Sequence, residues 1–116
     1  MKHTISLKKD YEFNRTYKKG KSFADKNLVI YILKTNKNIN GLGIIVSKKV
    51  GKSVVRSKVT RLIKENYRLK EQEIKKGFDI LIIAKSIANN ATYHDVNKSL
   101  GYLLKKHNML TYSWLT

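Results

Sequence analysis

Ser47-Lys48-Lys49-Val50-Gly51-Lys52-Ser53-Val54-Val55-Arg56-Ser57-Lys58-Val59-Thr60-Arg61-Leu62-Ile63-Lys64-Glu65-Asn66-Tyr67-Arg68 combines helical periodicity with charge of one sign. From Ser47 to Lys70 there are nine Lys or Arg and a single acid, Glu65. At roughly 100° per residue, Val55, Val59, Leu62, Ile63, Asn66 and Leu69 gather on one side. Ser57, Arg61, Lys64 and Arg68 gather opposite, with Lys58 and Arg56 towards the flanks. The spacing predicts a helix from a Ser53 N-cap to about Lys70, one face on a core and the other cationic. A solvated helix face usually mixes acids with bases at i,i+4, and like charges there destabilise it. This face is therefore read as built for a polyanion.

The charge of the whole chain agrees. A formal +17 on 116 residues far exceeds the magnitude of roughly 2–8 usual for a small domain. Self-repulsion on that scale works against compactness unless a partner neutralises it. Nucleic acid is the leading candidate and an anionic membrane surface the second. Arginine offers phosphate a planar fork and lysine a point charge. Three of the four arginines (Arg56, Arg61, Arg68) lie in this one helix, so they are read as fixing register while the lysines steer.

Outward from the helix, strands are expected on both sides. Leu28-Val29-Ile30-Tyr31-Ile32-Leu33 is rich in β-branched and aromatic residues. A polar turn, Thr35 to Asn40, leads to Leu42-Gly43-Ile44-Ile45-Val46-Ser47, expected to run antiparallel to the first strand. Phe78 to Ala84 is the third clear strand, and Glu71 to Lys76 either prolongs the helix or forms a turn before Gly77. Lys8 to Lys19 reads as a short helix ending at Gly20, with Phe13 and Tyr17 on one face. Thr92-Tyr93-His94-Asp95 forms a capping box, with Asp as the acid, that opens a last helix striped by Val96, Leu100, Leu103 and Leu104. Length predicts one domain, 1–116, an α+β sandwich with helices covering one face of a sheet.

Several chemistries lack their residues. Without cysteine there are no disulfides, thiol nucleophiles or Cys-type zinc sites. His3, His94 and His107 have no partner at metal or triad spacing and read as surface residues. Val50-Gly51-Lys52-Ser53 has the last letters of a P-loop but lacks its earlier glycine. No catalytic residue and no small-molecule site are expected. The apolar runs are too short to span a bilayer and no signal peptide is seen, so a soluble cytoplasmic protein is expected. Phe13, Tyr17 and Tyr31 could stack unpaired bases beside a basic groove, although aromatics at helical spacing more often belong to a core.

The segment resembles the protein subunit of bacterial ribonuclease P, whose pattern S-K-K-x-G-x-A-V-x-R-N-x-x-K-R-x-I-R it matches at Ser47, Lys48, Lys49, Gly51, Val54, Arg56, Arg61 and Ile63. Leu7-Lys8-Lys9 through Phe13, Tyr17 and Gly20, Val29-Ile30-Tyr31, and Asp79 to Lys85 resemble further family segments in matching order. Where the family has Arg-Asn-Arg, this chain has Arg56-Ser57-Lys58. Thr60 and Lys64 replace a lysine and an arginine, so charge is mostly kept while forks and an amide are lost.

The resemblance implies an accessory subunit of an RNA enzyme. A large catalytic RNA holds the active site and its Mg2+ ions and removes the 5′ leader of precursor tRNA. Lys48, Lys49, Lys52, Arg56, Ser57, Lys58, Arg61, Lys64 and Arg68 would bind that RNA. Phe13, Tyr17, Tyr31 and Lys85 would line a cleft for the single-stranded leader. The implied fold is a four-stranded sheet with about three helices and a left-handed βαβ crossover, like the second domain of a small-subunit ribosomal protein. Composition alone leaves open a structural ribosomal or chromatin-like protein. A sequence-specific DNA regulator is weaker, since no helix-turn-helix pair is evident.

Overall fold

The computed structural model describes residues 1–111. The elements in order are β1 (Thr4–Ser6), α1 (Asp10–Lys19), β2 (Lys21–Ala24), β3 (Leu28–Lys34), β4 (Asn40–Ile45), α2 (Ser53–Lys70), β5 (Phe78–Ala84) and α3 (Tyr93–Lys106). They form an α+β fold around one mixed sheet in the order β1-β4-β5-β3-β2. None of the helices is long and apolar enough to cross a membrane among the described residues.

The sheet has five strands, not the four expected. β1 is three residues long and β2 is mostly exposed, so neither shows the apolar alternation by which a strand is read from sequence. β3 and β4 do run in opposite senses, but β5 lies between them, antiparallel to β3 and parallel to β4. The β4–α2–β5 connection is thus a parallel crossover over one helix.

One sheet face is closed. Leu28, Ile30, Ile32, Leu42, Ile80 and Ile82 pack beneath α2 and α3 against Val59, Ile63, Val96, Leu100, Leu103 and Leu104. Helices were expected to cover one face, but the other carries α1, with Leu7, Leu81 and the polar Thr16 also buried. α3 begins at the expected box: Thr92 Oγ1 accepts from Asp95 N (3.1 Å), and the Asp95 carboxylate accepts from Thr92 N (2.9 Å).

The buried stripe of α2 is rotated from the expected one. Leu69 is 62% exposed, whereas Tyr67 is fully buried with its hydroxyl 3.0 Å from Thr4 Oγ1. β1 draws the stripe towards Tyr67, and β1 is the strand the sequence hides. Glu71, in the turn after α2, accepts the Lys2 and His3 amides (3.1 and 3.2 Å) and pins the same strand. His107 is half-buried rather than on the surface, and its Nε2 donates to Ile30 O at 2.8 Å.

Candidate nucleic-acid interface

The N-cap of α2 is Lys52 and not Ser53, with no side-chain cap and no acid in the first turn. Unpaired amides and the positive end of the helix dipole therefore meet Lys52 and Arg56, an arrangement that favours an anion. Val50 is buried and its amide donates to Ser47 O (3.0 Å). This turn leaves Lys48 and Lys49 exposed beside the helix start. Along α2, Ser57, Lys58, Arg61, Lys64 and Arg68 are exposed on the face the periodicity assigned them.

Arg56 differs from its neighbours. It is half-buried, and its Nε is buried without a hydrogen-bond partner among the described residues. A buried donor left unpaired is costly, and a phosphate oxygen would satisfy it. Arg61 pairs with Glu65 at 3.2 Å, but both are well exposed and such pairs contribute little. Thr60 turns its hydroxyl back to Arg56 O (2.9 Å), so at this position the helix presents no cation.

Arg56, Arg61 and Lys64 face Ile44 and Val46 of β4 and its exit across a groove of about 550 Å³. The groove exists because β1 pairs with β4 only as far as Leu42, leaving the edge beyond it open. Beside it a smaller recess of about 200 Å³ reaches Phe13 and Gly43, and Ile44, Thr60 and Lys64 line both. The basic helix and the aromatic region of α1 thus meet at the β4 edge.

The aromatic residues lie on the outer sheet face. Register places Tyr31, Leu81 and Gly43 in one row and Val29, Ile83 and Ile45 in the next. α1 covers the first row. Phe13 lies over Gly43, where an added Cβ would come within 2.6 Å of its ring, so the missing side chain is the seat for the ring. Tyr17 and Tyr31 rings sit 4.9 Å apart, and burial together with the adjacent Tyr17 raises the Tyr31 pKa, so its hydroxyl stays neutral. The second row is left partly open, Ile45 being 37% exposed, and forms an apolar floor beside the aromatics. Lys85 follows β5, its Nζ donating to Asp25 O at 2.8 Å. Arg15 and the buried Asp79 hold α1 down at 3.1 Å.

Phe13, Tyr17 and Tyr31 are therefore brought together, with Phe13 and Tyr31 half-buried and Tyr17 55% exposed. Lys85 is exposed just beyond the end of β5. Sequence reading missed Ile44 and Val46, Gly43 as a ring seat, and the Val29–Ile83–Ile45 row. Each depends on strand order, for which no local signal exists.

The family model "Ribonuclease P" matches residues 1–108. The chain belongs to the ribonuclease P protein family. Over 104 residues it is 52% identical to the ribonuclease P protein component of Clostridioides difficile (strain 630), covering 89% of this chain and 91% of that one. The component from Alkaliphilus oremlandii is 46% identical over 110 residues, 95% of this chain and 96% of that one. Among solved structures, the Staphylococcus aureus RNase P protein superposes with a TM-score of 0.85 at 36% identity, covering 90% of this chain and 96% of that one. The Thermotoga maritima protein gives 0.80 at 30% identity, covering 88% and 96%. The groove and the aromatic face described above thus lie on a ribonuclease P protein fold.

Proposed function

We propose that this chain is the RNA-binding protein subunit of ribonuclease P, assisting a catalytic RNA in removing the 5′ leader of precursor tRNA. The observation that carries this reading is the continuity of two unlike surfaces at the β4 edge, where Ile44, Thr60 and Lys64 line both recesses. On one side, Arg56, Arg61 and Lys64 suit a folded RNA backbone, with Lys48, Lys49, Lys52, Lys58 and Arg68 extending the field and Ser57 at its centre. On the other, Phe13, Tyr17 and Tyr31 flank an apolar floor suited to unstacked bases, with Lys85 at the rim. A strand leaving a duplex held at α2 can therefore pass directly into the cleft.

In this reading the chemistry belongs to the RNA, and the Mg2+ ions are held mainly by that partner. The protein binds and orients both RNAs, and the compartment is that of bacterial tRNA processing, the cytoplasm. Cleavage of precursor tRNA at low magnesium tests the division of labour. The protein alone leaves the precursor intact, and adding the cognate RNA restores cleavage; cleavage by RNA-free protein overturns it. Arg56→Ala with Arg61→Ala should flatten the log–log salt dependence of RNA binding by about 0.9 for each duplex phosphate that is no longer neutralised. An unchanged slope removes the α2 groove from the interface.

A further inference from the structure

On the sheet edge opposite the α2 groove, β2 and α3 carry a second cationic surface. Phe23 of β2 lies edge-on to His107, ring centroids 4.7 Å apart. Two ammonium groups sit over the Phe23 ring, Lys21 Nζ at 5.1 Å and Lys106 Nζ at 4.9 Å. Lys106 Nζ is also 5.8 Å from the ring of Tyr102, which is 53% exposed. Lys98, Tyr102, Lys105 and Lys106 share the outward face of α3, being four, three and one residues apart in turn.

Among the described residues, none of Lys21, Lys98, Lys105 and Lys106 has a carboxylate within salt-bridge distance. The nearby acids Asp25 and Asp95 line a shallow groove of about 260 Å³ with Lys98 and Tyr102, but both are committed to the backbone. Asp25 accepts from the Asn27 and Leu28 amides, both at 2.9 Å, and Asp95 from Thr92 N. Aromatic faces hold the ammonium groups in place, gathering like charges that would otherwise separate. An exposed tyrosine with Lys106 held beside it and Lys98 one turn away is a stacking platform with phosphate partners on both sides.

We propose that this α3 face is a second contact for single-stranded RNA, with a base on Tyr102 and flanking phosphates on Lys98 and Lys106. Because it lies across the sheet from the α2 groove, one chain can hold two RNA segments at once. The proposal goes beyond the reading above and does not depend on the leader cleft.

Lysine acetylation of the full chain, read by mass spectrometry with and without saturating oligouridine, tests it. Lys98 and Lys106 should be protected several-fold, and Tyr102→Ala should release them while leaving Lys58 and Lys64 as they were. Polyglutamate, a polyanion without bases, should leave Lys98 and Lys106 at the free-protein rate. Lys98 and Lys106 unprotected by oligouridine overturn the proposal, whatever happens on α2. Equal protection by polyglutamate, or protection that survives Tyr102→Ala, overturns it as well. Lys58 and Lys64 report separately on the α2 groove, so failure of one reading is distinguishable from failure of the other.

Discussion

The two faces of the sheet are built from the same strands to opposite ends. The inner face, under α2 and α3, is apolar from Leu28 to Ile82 and sealed. The outer face carries only α1, which covers the Tyr31–Leu81–Gly43 row and leaves Val29, Ile83 and Ile45 partly open. Alternation along each strand sends successive residues to one face or the other. The core and the candidate site are therefore separated by single-residue steps: Ile30 is core and Tyr31 faces α1 on the outer side.

That separation breaks most visibly on the inner side. Leu103 is fully buried between helix and sheet, and Leu103→Ala should cost about 2–5 kcal/mol of stability. Chemical denaturation measures it, and a loss no greater than that of an exposed-site variant would mean the inner face is not the main source of stability. Gly43→Ala comes next, on the outer face. Its Cβ would press on Phe13 at 2.6 Å and Leu7 at 3.2 Å, an overpacking worth about 1–3 kcal/mol. Adding Phe13→Leu should recover part of that loss; no recovery would mean the clash lies elsewhere.

Tyr17→Ala draws the sharpest line between the faces. Tyr17 is half out of the fold and pairs with the Tyr31 ring, so stability should fall by about 0.5–1.5 kcal/mol. Affinity for precursor tRNA should drop by about 1–3 kcal/mol, the worth of one stacked base, while affinity for mature tRNA stays. Equal losses for the two RNAs would return Tyr17 to a structural role.

Much of the inner face was legible in the sequence because its signals are local. The span Phe78–Ala84, the Thr92 capping box and the end of α2 at Lys70 lie where pattern and caps put them. Strand order was not legible. Leu28–Leu33 and Leu42–Ser47 are neighbours in sequence, yet β5 from far along the chain sits between their strands. The candidate site divides in the same way. The cations of α2 follow from helical spacing, whereas Ile44, Gly43 and the open apolar row need the strand order first. Tyr67 was missed for a related reason, since its partner is β1, three residues with no pattern of their own.

The fastening of β1 is the smallest effect and the one that depends on pH. Burial raises the pKa of the Glu71 carboxyl, but hydrogen bonds from Thr4, His3 and Lys2 together outweigh it and leave the pKa below the ordinary 4.5. A carboxyl with a depressed folded-state pKa contributes stability above its ordinary value and loses it as pH falls through the folded value. β1 should therefore loosen as pH falls below the ordinary 4.5 and through the lower folded value, and the groove beside Leu42 should loosen with it. Glu71→Gln keeps an oxygen to accept the His3 amide but cannot be protonated in that range. Acid-unfolding curves of the two proteins should diverge below pH 4.5, the native chain falling more steeply. Parallel curves would show that β1 is held by Tyr67 and the ladder to β4 alone, and that the edge of the candidate site does not respond to acid through Glu71.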